Sequence, residues 1–85
     1  MKIYKYELQV AERQSVKMPL NAQILDIQMQ HGKPTLWAKV DENSKTEMIT
    51  IDTYGTGHSM SEDNSLEFLA TVQDGGLVWH FFKWS

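Results

Sequence analysis

The segment Tyr54-Gly55-Thr56-Gly57-His58 holds the residue types most suited to chemistry in this 85-residue chain. Two glycines one residue apart let the backbone take positive φ. Successive N–H groups can then converge on one concavity that suits an anion, with a hydroxyl and an imidazole beside it. The phosphate-binding signatures would add a Lys-Ser/Thr pair after the glycines, or a third glycine opening a helix. Neither is present, so the spacing alone fits a structural turn at least as well as a binding loop. Trp37 is the other candidate contact residue. It falls on the polar side of its strand, and an indole placed there packs against a ligand, a partner or a second core layer.

Other chemistry finds little support. His31, His58 and His80 have no i, i+2 or i, i+4 spacing that would bring two imidazoles together, and the chain has no cysteine, so no metal site or cofactor is expected. Ser59 adjoins His58, but neighbours on an extended chain point apart, and a nucleophile needs its base within hydrogen-bond reach. Asp41, Glu42, Asp52, Glu62 and Asp63 lie in or beside polar stretches, so ordinary pKa values and a solubility role are expected. No catalytic residue is assigned, and the chain is not expected to be an enzyme.

The elements that would position these residues follow from hydrophobic period. Apolar residues make up 41% of the chain and charged ones 22%, which is globular composition, and the length fits a single domain over 1–85. The net charge of −3, with lysines and arginine scattered singly, argues against a nucleic-acid surface. The N-terminus alternates polar and apolar residues and lacks the unbroken apolar stretch of a leader or span, so a soluble intracellular protein is expected.

The dominant period is two, which predicts strands. Tyr4, Tyr6, Leu8 and Val10 share one face of a first strand; Val16 and Met18 mark a second, ended by Pro19. A two-residue loop at His31-Gly32 pairs Gln30 with Lys33, Ile27 with Leu36 and Leu25 with Ala38, so that apolar meets apolar. Ile49 and Ile51 point inward from a strand over Thr46 to Tyr54, and a polar loop follows to Ser65. A turn at Asp74-Gly75 would pair Val72 with Leu77, Ala70 with Trp79 and Phe68 with Phe81. A short helix over 65–73 is the rival, since Leu66, Leu69 and Ala70 also fit helical spacing. The fold class is therefore all-β: six to seven short antiparallel strands in a bent sheet or open barrel.

The last strand differs from the rest. Leu77, Trp79 and Phe81 fill one face, and Val78, His80, Phe82 and Trp84 fill the other. An antiparallel sheet normally leaves one side to water. Self-association through Val78, His80, Phe82 and Trp84 is the expected remedy, giving a homo-oligomer.

The run from Ala22 to Gly32, the Pro34-Thr35-Leu36-Trp37-Ala38-Lys39-Val40-Asp41 block, the Tyr54 to His58 block and the closing Gly76-Leu77-Val78-Trp79-His80-Phe81-Phe82, in that chain order, resemble a family of small uncharacterised proteins of tailed phages and prophages. The resemblance implies a compact β-rich domain of phage origin and brings no activity or catalytic residue with it. The expected function is a non-catalytic binder working in the host cytoplasm. It would block a host or defence protein, or sequester a small anionic, nucleotide-like signal, with Tyr54 to His58 and Trp37 as contacts. A structural module of the phage particle is the alternative. A membrane role is not expected, and nucleic acid is disfavoured as a partner.

Overall fold

The computed structural model describes residues 1–85 and contains seven strands and no helix: β1 Lys2–Glu7, β2 Arg13–Pro19, β3 Gln23–Gln30, β4 Lys33–Val40, β5 Thr46–Gly55, β6 Leu66–Asp74 and β7 Leu77–Trp84. They form two antiparallel sheets, one ordered β1-β4-β3 and the other β2-β5-β7-β6. The all-β expectation holds, with two packed sheets and no closed barrel. Alternation of side chains makes this architecture: each strand sends every second residue inward. Leu36, Ala38 and Val40 from one sheet meet Ile49, Ile51, Val72 and Phe81 from the other, all buried.

The turns explain why the chain reverses where it does. His31 and Gly32 both have positive φ, +52° and +78°, the pattern of a type I′ hairpin turn, and Gln30 pairs with Lys33 as the hydrophobic pattern requires. Asn21 takes φ +60° in a turn closed by the Ala22 N–H donating to the Pro19 carbonyl (3.3 Å). The β1–β2 connection is tied by a reciprocal pair: the Gln14 side-chain carbonyl accepts from the Gln9 N–H (3.0 Å), and its amide donates to the Gln9 carbonyl (2.7 Å).

Three expectations need correction, and the strand reading of 66–73 prevails over its helical rival. In the β3–β4 hairpin the register shifts between Ile24 and Asp26, so Ile24, not Leu25, pairs with Ala38. The bulge turns Ile24 onto the core and leaves Leu25 exposed. Residues 65–73 are not helical: β6 begins at Leu66, because Ala70 and Val72 gain a buried sheet face against Phe81 and Trp79. The β6–β7 turn sits one residue later than expected, on Gly75-Gly76, pairing Asp74 with Leu77 and Val72 with Trp79. Gly75 alone takes positive φ (+59°), as the first central position of a type II′ turn demands. That change moves partners by two residues and so preserves the faces. The third correction is Phe68: a bulge between Phe68 and Ala70 reverses its direction, and it pairs with Phe82 on the outside instead of Phe81 on the inside.

Candidate functional site

The outer face of the four-stranded sheet is built around one buried carboxylate. Asp52 has the parity opposite to Ile49 and Ile51, so it points away from the core, yet only 3% of it is exposed. Its neighbours cover it. β2 places Arg13 directly across from it, and the guanidinium grips both oxygens, Nε on Oδ1 at 2.8 Å and Nη2 on Oδ2 at 3.0 Å. From the other side the Trp84 indole N–H donates to Oδ2 at 2.8 Å, and the Tyr54 hydroxyl lies 3.4 Å from the same oxygen. Arg13 also lies over the Trp84 ring, 5.1 Å from its centroid. A charge-assisted, two-point grip of this kind holds both side chains in one geometry.

These contacts set the electrostatics. The Arg13 hydrogen bonds, helped by the Trp84 and Tyr54 donors, hold the Asp52 carboxyl below the usual carboxylate range against the opposing effect of burial. The same bonds raise Arg13. Asp52 therefore departs from the expectation of an ordinary solvated acid. Glu42, lowered by its own backbone N–H, and Asp63, lowered by the Ser65 N–H, depart in the same direction. Sequence reading missed the pairing of Arg13 with Asp52 because the two residues are thirty-nine positions apart, and only the pairing of β2 with β5 makes them neighbours.

Aromatic rings continue the surface. Phe82 meets Tyr54 edge to face (5.8 Å) and Phe68 likewise (5.5 Å). Phe68, on the edge strand, is 57% exposed, whereas Val78, His80, Phe82 and Trp84 are half-buried. The two ring nitrogens of His80 bond the hydroxyls of Thr56 (2.8 Å) and Thr71 (2.9 Å), so a neutral ring donates to one and accepts from the other. Each of Val78, His80, Phe82 and Trp84 lies on this outer face, in one row along β7.

The glycine segment ends β5 beside that row. The His58 N–H donates to the Gly55 carbonyl (3.1 Å), closing a turn in which Gly57 takes φ +87°. The Gly55 N–H donates back to His58 Nδ1 (3.2 Å), and the imidazole lies so close over Gly55 that an added Cβ would stand 2.7 Å from it. Two of the amides an anion nest would use are thus engaged within the turn, and the Thr56 hydroxyl is bonded to His80. A groove of about 470 Å³ runs beside the turn, lined by Glu12, Arg13, Asp52, Tyr54 and His58 among others, and so mixes charges of both signs.

Trp37 is not brought to this place. It lies between inward-pointing Leu36 and Ala38 and therefore faces outward from the three-stranded sheet, with Lys5 and Asp26 as its cross-strand neighbours. The sandwich separates it from Tyr54 to His58. No cluster of three or more His, Asp or Glu side chains is placed to hold a metal ion.

Fold and surface together define a small antiparallel β-sandwich with one aromatic outer face organised around an ion pair. The chain belongs to the family described as Domain of unknown function (DUF7352), whose profile matches residues 1–85. No curated protein and no solved structure matches the chain.

Proposed function

We propose that the chain is a non-catalytic protein-binding module whose contact surface is the outer face of the β2-β5-β7-β6 sheet. One observation carries this reading: a row of aromatic side chains, with Phe68 more than half exposed, lies beside the Asp52 grip on Arg13 and Trp84. Tryptophan, tyrosine and arginine in fixed geometry are the side chains that dominate protein interfaces. The resemblance to small phage and prophage proteins supports a host-directed use in the host cytoplasm, with a host or defence protein as the target. Capture of a small anion at Tyr54 to His58 has less behind it. The turn engages its own amides, and Glu12 and Asp52 line the adjoining groove. Assembly into a phage particle is the second reading, favoured by the same two-sided strand, and it calls for larger rings.

A photo-crosslinking side chain at position 68, compared with one at Gln28 on the opposite face, tests the proposal. Adducts at 68 and none at 28 are expected in a host extract or with the protein alone. Equal yields at both positions, or none at either, would reject the surface.

A further inference from the structure

We infer that the partner seated on this face is a second copy of the chain, packed sheet against sheet about a two-fold axis that runs along the strands between β5 and β7; the inference rests on the contact-surface reading above. Charge distribution is the first argument. The chain carries eleven carboxylates and a net charge of −3, yet Asp52 is the only acid that the strand pairings place on this outer face, and Arg13 neutralises it. The only other charged side chain of these strands on this face is Lys17. The strands of an acidic protein thus keep one broad face free of unpaired negative charge, with Glu12 only at its margin, and that permits two identical faces to meet.

Self-complementarity is the second argument. Arg13 pairs with Asp52, Asp52 with Phe82 and Phe82 with Phe68, so one row crosses the sheet from a cation on edge strand β2 to an exposed aromatic on edge strand β6. A two-fold axis parallel to the strands reverses that row. It sets Arg13 of one copy over Phe68 of the other at both ends, a cation facing a ring, with β5 over β7 in the middle. An axis across the strands would stack Arg13 on Arg13 instead. Area is the third argument: four strands at their usual spacing over seven residues cover about 450 Å² in plan per copy. Two copies together then approach the roughly 1,000 Å² that marks a specific interface, before side-chain relief is counted.

Sedimentation equilibrium on the whole chain at micromolar concentrations should give twice the chain mass. Phe68→Lys, which would oppose the partner's Arg13, should weaken the dimer about tenfold or more, whereas Phe68→Glu should leave it largely intact. Far-UV spectra and melting curves of both variants report that the fold is kept. Because the chain has no cysteine, a second measurement is independent of Phe68. Ser15 is across from Thr50 and Leu66 from Trp84, which puts Ser15 of one copy over Leu66 of the other. A mixture of Ser15→Cys and Leu66→Cys chains should be joined by a bis-maleimide reaching about 10 Å, the distance between packed sheets, and Ser15→Cys alone should not.

A wild-type monomer overturns the inference. So does equal weakening by Lys and Glu at position 68, or linkage of Ser15→Cys chains to one another. A monomer that still gives adducts to another protein at position 68 removes the second copy and leaves the contact surface standing. A monomer without adducts removes both.

Discussion

The two outer faces of the sandwich are built by the same alternation of side chains and have opposite characters. On the three-stranded sheet, a half-buried Trp37 is surrounded by Lys5, Asp26, Gln28 and Gln30, and the polar groups bond one another: Lys5 with Gln30 at 3.3 Å, Gln28 with Asp26 at 2.8 Å, Lys33 with Glu7 at 3.6 Å. On the four-stranded sheet, a buried carboxylate is surrounded by aromatic rings and an arginine. The first arrangement is a polar surface that tolerates one ring. The second is an apolar surface that depends on one charge, because a desolvated carboxylate needs all its partners in place, whereas an exposed pair contributes little.

The difference can be broken at its centre. Asp52→Ala removes the acceptor shared by Arg13, Trp84 and Tyr54 and should lower unfolding stability by about 2–3 kcal/mol in chemical denaturation, with Trp84 fluorescence shifting as the indole is released. Loss under 0.5 kcal/mol would show that the aromatic rings hold the face without the charge. Titration sharpens the same point. The folded-state pKa of Asp52 is depressed, so its stabilisation is fully present above the unfolded carboxylate value of about 3.9 and is lost as pH falls through the lower folded value. Melting temperatures of the wild type and Asp52→Asn should therefore converge below about pH 4 and separate above it. Parallel pH profiles would contradict the assignment.

Smaller changes test each side separately. Trp84→Phe keeps a ring under Arg13 but removes the N–H donor to Asp52, and about 1 kcal/mol should be lost. On the opposite face, Gln28→Ala breaks an exposed bond to Asp26 and should change stability by less than about 0.5 kcal/mol. A larger effect there would mean that the polar face is as tightly organised as the aromatic one.

Much of this molecule could be read along the chain, and the limits of that reading have definite causes. Ile27 opposite Leu36, the His31-Gly32 turn and the inward Ile49 and Ile51 follow from local alternation and turn chemistry. Leu25 and Phe68 do not, because each lies beside a bulge, and one extra residue in a strand reverses every side chain beyond it without altering the pattern of residue types. Trp37 and the Tyr54 to His58 segment read as one contact set in sequence and lie on different sheets. The features of the aromatic face were half legible: Val78, His80, Phe82 and Trp84 stand out as a second apolar side, but nothing near Asp52 in the chain announces its partners.

By itself, then, the amino-acid order determined the all-β class, most strand positions and the existence of one strand too apolar for a single buried side. Those depend on neighbours within a few residues. Only the tertiary structure decided that the strands divide into two sheets, that Arg13 crosses thirty-nine positions to reach Asp52, and that this pair sits among rings. A charge is stabilised by whatever surrounds it in space, and for a residue in the middle of a sheet that means two adjacent strands whose identity is fixed by packing.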